Sequence, residues 1–155
     1  MNKIQRAYLD RYLDSLSEQE RVHYTTFSAD YFCADENNAN LCAELVRQGK
    51  KKATCGMKLW YEQGMEQAPE SGDLLVVTDW LGNPSCIVEF TEITECRFSE
   101  VTETFATAEG EGDLSLKWWR EAHREFFSRE CEELGIPFSE ECELVLEHFR
   151  LVYSE

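Results

Sequence analysis

The sequence predicts an α+β fold in which a mixed or antiparallel β-sheet curls into a small barrel flanked by helices. Several segments carry apolar residues at helical spacing, and others alternate or run apolar as strands do. The strands and helices do not alternate regularly, which argues against a doubly wound parallel fold. Because 155 residues suit one domain, we expect a single domain over residues 1–155, with 1–24 as an N-terminal helical extension.

Helical periodicity marks three segments of the chain. Residues 3–16 predict an amphipathic helix, and Ser17 to Glu20 has the pattern of a capping box that opens a short second one. Residues 39–46 predict a further helix, which Gly49 would close as a C′ glycine. Residues 114–134 form the longest periodic segment, and Ser99 is expected to cap a short helix that runs towards Ala108.

Extended segments are expected at residues 24–33 and 53–60. Residues 74–98 predict an antiparallel hairpin that turns at Gly82-Asn-Pro84. Residues 143–153 alternate apolar and polar side chains and predict a closing strand. Asp79 and Glu147 lie within these apolar strands, and we expect both to face solvent; if buried, each needs a partner.

The charge of the chain limits its partners. There are 31 acidic and 15 basic side chains, a net charge of −16, so binding to long duplex DNA is not expected. Five basic residues nevertheless fall within twelve consecutive positions that contain no acid: Arg47, Lys50, Lys51, Lys52 and Lys58. This stretch is a candidate anion site, although cations are also stabilised at a helix C-terminus without any ligand.

The cysteines and the hydropathy pattern exclude other classes. No apolar run is long enough to span a bilayer, so no membrane partner is expected. The seven cysteines are scattered without a C-x-x-C spacing, which indicates neither a disulfide framework nor a zinc site and favours a reducing cytoplasm. No phosphate-binding glycine motif is present, and no cofactor is expected.

Landmarks in a fixed order carry a resemblance to a known family. They are residues 43–54 (AELVRQGKKKAT), Gly72-Asp73, Gly82-Asn-Pro84, residues 105–113 (FATAEGEGD), and Trp119-Arg120 through His123 to Phe126-Phe127. Together they resemble the ASCH domain family of the PUA-like superfamily, in its longer bacterial members. The resemblance implies a PUA-like barrel with a ligand cleft at residues 49–54.

The resemblance also implies roles for individual residues. The family pattern Gly-x-Lys-x-x-Thr matches at Lys51 and Thr54, and Glu109 matches the acidic partner from a later helix. Some small members resemble amidohydrolases of the modified nucleoside N4-acetylcytidine; others resemble ribonucleases or RNA-binding modules. Lys52, where small members often have Thr, and Cys55, after the predicted nucleophile, depart from the pattern.

The predicted catalytic residues are therefore Lys51, Thr54 and Glu109. A Thr hydroxyl is a weak nucleophile and needs a base. Lys51 would serve if burial, or the like charges of Lys50 and Lys52, lowered its pKa, and Glu109 would pass the proton to the leaving amine. The structural alternative is a solvated lysine cluster at a helix end.

Further side chains are candidate contacts for a substrate. Trp118, Arg120 and His123 on one helix, with Ser115 beside them, would stack a base or bind a phosphate, and Lys50 and Lys52 would add positive charge. Core packing is the alternative, and it is the one expected for Trp119, Phe126 and Phe127. Trp60 and Tyr61 are expected in the core or on the cleft wall.

Two alternatives to a nucleoside amidohydrolase stay open. One is a non-catalytic module that binds single-stranded RNA in the same cleft. The other is a metal-assisted ribonuclease that uses Glu109, Glu111 and Asp113, although a solvated acidic turn explains these carboxylates without a metal. The first hypothesis remains an enzyme that binds a nucleoside or RNA element and hydrolyses an amide.

Overall fold

The computed structural model describes all residues from Met1 to Glu155. Its helices are α1 (Lys3–Asp14), α2 (Glu18–Arg21), α3 (Glu36–Arg47), α4 (Lys58–Glu62), α5 (Glu103–Glu109) and α6 (Leu116–Glu133). Its strands are β1 (Phe27–Asp30), β2 (Ala53–Met57), β3 (Leu74–Thr78), β4 (Pro84–Arg97) and β5 (Glu143–Ser154), and a 3₁₀ turn spans Phe98–Glu100. None of these helices combines the length and the apolar composition that spanning a bilayer requires.

The five strands form one mixed sheet, as predicted. The strand order is β1-β3-β4-β5-β2, with β1 parallel to β3 and every other pair antiparallel. The ladder between β4 and β5 shifts register between Ile87 and Val88 and again between Phe90 and Glu92. Such irregularities bend and twist a strand, so β4 is long enough and bent enough to pair with β3 at one end and with β5 along its length.

Capping side chains define several helix starts, and the predicted signals at Ser17 and Gly49 are confirmed. The side chains of Asn2 and Ser17 each form a capping box, at the starts of α1 and α2. Asp35 caps α3 by accepting a hydrogen bond from the backbone of Asn38. Gly49 follows α3 with φ +74°, the left-handed conformation that favours glycine after a helix.

Two predicted boundaries are wrong. Ser99 does not cap a helix: Phe98 is fully buried and begins a 3₁₀ turn, and Thr102 caps α5 instead. The extended segment predicted to reach Trp60 ends at Met57, because α4 follows. In both cases a large aromatic side chain enters the core, and this packing outweighs the local preference.

Three hydrophobic clusters hold the helices on the sheet. One lies between α5, α6 and strands β2 and β5, and includes Trp119 and Phe127. A second lies under α3 and contains Val46, Val88 and Phe149. The third joins α1 to β3 and β4. The sheet is therefore covered by helices along most of its length, and β2 lies beside the first cluster.

Residues 50–52 connect α3 to β2 and are fixed by backbone contacts on both sides. The Lys51 amide donates to the Leu45 carbonyl (3.0 Å), and the Lys52 amide donates to the Ala108 carbonyl of α5 (2.7 Å). Gly110, directly after α5, has φ +73°, and a Cβ built there would lie 2.3 Å from the Lys50 carbonyl oxygen. Only glycine allows this approach, so Gly110 is the joint that brings the end of α5 to Lys51.

We predict that Gly110→Ala destabilises the protein by more than about 2 kcal/mol, because it combines left-handed strain with a backbone clash. Gly49→Ala is the matched control: its φ is +74° but no atom lies within 4 Å of the added Cβ, so it should cost about 1 kcal/mol. Urea denaturation measures both free energies of unfolding. Equal losses for the two variants would contradict a close approach at Gly110.

Candidate functional site

Lys51 differs from the two lysines beside it in the chain, because its side chain is buried and theirs are exposed. Its side chain is buried, with Nζ 3.3 Å from Glu111 Oε2 and 3.4 Å from the Glu109 backbone oxygen. The ammonium also lies over the Phe32 ring, 5.7 Å from its centroid. Lys50 and Lys52 are exposed. The predicted lysine cluster is thus one buried cation flanked by two surface cations.

Glu109 is the last residue of α5 and is fully buried. Its Oε2 accepts hydrogen bonds from Trp119 Nε1 (2.9 Å) and is 3.0 Å from His123 Nε2. Trp119 and His123 are one turn apart on α6, and their rings stack at 4.2 Å. The long helix therefore presents two donors to a carboxylate that α5 carries into the core.

The hydrogen bonds of His123 define its protonation. Its Nδ1 lies 2.9 Å from the Trp119 carbonyl oxygen, which can only accept, so Nδ1 carries a hydrogen. Its Nε2 faces the Glu109 carboxylate, which also accepts when ionised. Burial alone would lower the pKa of His123, but the hydrogen bond and charge of Glu109 outweigh burial and raise it. Both ring nitrogens of His123 therefore face hydrogen-bond acceptors, which favours the imidazolium form in the folded protein.

Four side chains form a largely buried network in which acidic and basic groups alternate: Glu111, Lys51, Glu109 and His123. Burial would lower the pKa of Lys51, but the negative charges of Glu109 and Glu111 outweigh it and raise that pKa. Burial would raise the pKa of Glu109, yet Lys51 and His123 hold it well below its usual range. Lys51 is thus a stable cation. The partly neutral amine that a role as general base requires is not provided here.

Thr54 lies on the opposite face of β2 from this network. Successive side chains of a strand point to opposite faces, and Cys55, the next residue, lies against Glu109 and His123, with their ligand atoms within 4.8 Å of one another. Thr54 is half-buried and pairs with Glu147 on β5. Residues that are directly paired on antiparallel strands share a face, so Thr54 and Glu147 are neighbours.

The expectation that Glu147 faces solvent is wrong. Glu147 is only 6% exposed, and the Tyr61 hydroxyl donates to its Oε1 at 2.6 Å. Burial raises the pKa of Glu147 to about 7, although the hydrogen bond from Tyr61 acts to lower it. Gly56 makes room for Tyr61, because a Cβ there would lie 2.8 Å from the Tyr61 hydroxyl. A buried carboxyl with a raised pKa is therefore paired with Thr54 across the two strands.

The alternation along β5 already indicates that Glu147 points inward. Along β5 the side chains of Val145, Glu147 and Phe149 alternate with their neighbours and point to the same face of the sheet, and Val145 and Phe149 are buried. An acid in an inward-facing position of such a strand must be buried, so it requires a donor. That donor, Tyr61, lies 86 positions away along the chain, and no local pattern indicates it.

The remaining predicted contacts have structural partners. Ser115 caps α6 by accepting from the Trp118 amide (3.1 Å). Trp118 is half-buried and covers Gly112, whose added Cβ would lie 2.1 Å from the indole ring. Arg120 is half-buried, with Nη2 at 3.5 Å from the Ser99 carbonyl oxygen. Trp119 and Phe127 are buried in the core, as predicted.

The three acidic residues at the end of α5 and in the loop after it have different partners. Glu109 is bound by Trp119 and His123, Glu111 pairs with Lys51, and Asp113 accepts from the Ser115 amide at 2.9 Å. Glu111 also groups with Cys33 and Cys42, the ligand atoms of all three lying within 4.8 Å of one another. The carboxylates therefore diverge instead of gathering around one point.

Two open surface grooves lie away from all these groups. The larger, about 370 Å³, is lined mainly by polar side chains, among them Asn40, Arg47 and Asp79. The other lies at Glu95, Arg97 and Glu143. Neither groove includes Lys51, Thr54, Glu109 or Glu147.

Comparison with known proteins gives consistent results over almost the whole chain. The family model described as the ASCH domain matches residues 28–153. The crystal structure of an ASCH domain from Lactobacillus crispatus JV V101 is 54% identical, with 99% of this chain and 96% of that chain covered and a TM-score of 0.95. A protein from Enterococcus faecalis V583 is 27% identical, with 98% and 90% covered and a TM-score of 0.81. No curated protein sequence matches the chain significantly.

We predict that Glu147→Gln stabilises the protein at about pH 8 by up to about 3 kcal/mol and has little effect near pH 4. Because the folded pKa of about 7 lies above the usual 4.5, the folded state holds this proton more tightly, and stability falls as the pH rises through that interval. Glutamine resembles the protonated acid at every pH. Urea denaturation at both pH values measures the effect, and an equal change at both would contradict the raised pKa.

We predict a separate loss of stability above about pH 6.5 that depends on His123. Its folded pKa is raised by Glu109, so the stabilisation is fully present below the unfolded pKa and is lost as the pH rises through the folded one. His123→Gln, which keeps a neutral donor for Glu109, should remove this dependence. The comparison is made between Glu147→Gln and the double variant Glu147→Gln/His123→Gln, so that the titration of Glu147 does not contribute to either. A slope that persists in His123→Gln would contradict the assignment.

Proposed function

Because the chain belongs to the ASCH domain family, we propose that it binds a nucleoside or a short single-stranded RNA element beside β2 and hydrolyses an exocyclic amide, as in N4-acetylcytidine. The observation that carries the proposal is the pairing of Thr54 with Glu147, a buried carboxyl with a pKa of about 7. A general base is most effective when its pKa lies near the working pH. Few carboxyl groups in proteins meet that condition.

The proposed reaction has two stages. Thr54 Oγ1 attacks the acetyl carbonyl carbon while its proton passes to the Glu147 carboxylate, which gives a tetrahedral oxyanion. The C–N bond then breaks, and Glu147 returns the proton to the leaving exocyclic amine. The same carboxylate then takes a proton from water, whose oxygen attacks the acetyl-threonine ester. As the bond from the acyl carbon to Thr54 Oγ1 breaks, Glu147 returns this proton to Oγ1 and acetate is released. Tyr61, which donates to Glu147 Oε1, would hold the carboxyl in place.

Lys51 and Glu109 have positioning roles in this proposal. Lys51 lies three residues before Thr54, but its ammonium belongs to the network on the opposite face of β2, where it pairs with Glu111 at 3.3 Å. This ion pair anchors the segment that leads into β2 and so fixes the position of Thr54. Glu109 is bound on several sides and keeps Lys51 charged. It therefore acts as a positioning residue, and Glu147 takes over the proton transfer first assigned to Glu109.

The surface residues would recognise the rest of the substrate. Exposed Lys50 and Lys52 are suited to a phosphate, and half-buried Trp118 and Arg120 to stacking on a base. Ser115 and His123 have helix-capping and charge-network roles and would contribute through the position of α6. The net charge of −16 opposes long polyanions, which favours a nucleoside or a short element as the substrate.

The test is the release of acetate from N4-acetylcytidine by purified variants. Thr54→Ala and Glu147→Gln should each lower kcat by about 10²-fold or more, whereas Thr54→Ser should retain activity. Wild-type kcat should rise with pH through about 7, because the base must be ionised. Glu143→Gln, an exposed carboxyl on the same strand, is the control and should match wild type.

Other outcomes would replace the proposal. Full activity in both Thr54→Ala and Glu147→Gln would exclude the mechanism. Salt-dependent binding of single-stranded RNA without acetate release would identify a non-catalytic binding module. Shortening of RNA that depends on an added divalent cation would identify a metal-assisted ribonuclease.

A further inference from the structure

Two cysteines meet where the loop before α3 folds back on that helix. Cys33 Sγ lies 3.1 Å from Cys42 Sγ. Cys33 is exposed, whereas Cys42 is fully buried on the inner face of α3. Cys33 has φ +74°, a conformation that non-glycine residues rarely adopt, so the loop holds this residue in an unusual geometry directly over Cys42. One thiol of the pair is accessible and the other is shielded.

The shielded thiol has a proton acceptor. Cys42 Sγ donates to Glu111 Oε1 at 3.3 Å, and the other oxygen of Glu111 pairs with Lys51 at 3.3 Å. The interaction with Cys33 and burial raise the pKa of the Cys42 thiol, so Cys42 is protonated in the resting protein. A carboxylate at hydrogen-bonding distance is the group through which this proton can leave.

We propose that Cys33 and Cys42 are a redox-active pair, in which Cys33 is the site of modification by a low-molecular-weight disulfide such as glutathione disulfide and Cys42 resolves the adduct. The Cys33 thiolate attacks one sulfur of glutathione disulfide, forming a mixed disulfide and releasing one glutathione thiolate. Cys42 transfers its proton to Glu111 and attacks Cys33 Sγ, which forms the Cys33–Cys42 bond and releases the second glutathione. The pair loses two electrons and two protons, and two glutathione thiols form.

The distances favour a disulfide over a metal ion at these residues. In a tetrahedral zinc site with Zn–S bonds of about 2.3 Å, two thiolates lie roughly 3.7 Å apart, whereas these sulfurs are 3.1 Å apart. The carboxylate that would be the third ligand is already paired with the Lys51 ammonium. A dication there would lie close to a fixed positive charge, which is unfavourable.

The pair lies next to the charge network without belonging to the proposed catalytic groups. Forming the disulfide removes the S–H donor from Glu111 and so changes the surroundings of the carboxylate that pairs with Lys51. The inference does not depend on hydrolysis, because its readout is the covalent state of the thiols. Its failure and the failure of the hydrolase proposal are therefore distinguishable.

The experiment incubates the reduced full-length protein with glutathione disulfide and follows its intact mass. Wild type should pass through a transient adduct of one glutathione and end with the loss of two hydrogen atoms, and peptide mapping should find Cys33 joined to Cys42. Cys42→Ser should stop at the adduct on Cys33, and Cys33→Ser should form neither product. Cys142→Ser, which removes a half-buried thiol far along the chain, should behave as wild type.

Glu111→Gln tests the proton acceptor. Its amide cannot take the proton of Cys42. The glutathione adduct on Cys33 should therefore form at the wild-type rate, but its conversion to the Cys33–Cys42 disulfide should be about tenfold slower. A wild-type adduct that persists unresolved, or equal modification of Cys96 and Cys142, would overturn the proposal. Protection of both thiols by one equivalent of Zn²⁺ would also overturn it, in favour of a metal site. Circular dichroism of each variant verifies that the fold is retained.

Discussion

The buried Lys51 ammonium constrains the rest of the structure, because it pairs with the Glu111 carboxylate and contacts the Glu109 backbone oxygen. An ammonium without a partner in the core would be very costly, so Glu109 and Glu111 must both reach it. Backbone contacts achieve this: the segment before β2 bonds to the end of α5, and Gly110 lets the two chains touch. Through His123 the same network holds α6. Three elements distant in sequence are thus joined by a few charges.

Strand β2 divides the charged groups into two sets with different chemical properties. On one face Glu109 is held ionised by surrounding donors and cations, so its protonation hardly changes near neutral pH. On the other face Glu147 has one hydrogen-bond donor, no partner cation and a pKa of about 7. The first set is suited to fixed electrostatics and the second to proton transfer. The proton carrier beside Thr54 is therefore separate from the fixed charges, which lie on the other face of β2.

The thiol pair extends the network towards solvent. Cys42 contacts the carboxylate that pairs with Lys51, and Cys33 lies above it on the surface. The cysteine spacing in the sequence indicated no such pair, because a turn of unusual backbone conformation brings Cys33 over the helix. The thiols of a chain without a disulfide framework can thus still meet through local geometry.

Composition and periodicity were sufficient for the α+β class, the mixed sheet and most helix ends, since caps and apolar patterns act over a few residues. Burial of Phe98 and Trp60 moved two boundaries, because packing energy exceeds local propensity. Residues 49–54 were identifiable as an acid-free stretch. The charge state of Lys51, the partner of Thr54 and the acceptor for Cys42 come from residues about 60 to 90 positions away. Such contacts are made only when the sheet pairs and the helices pack, so they belong to the tertiary structure alone.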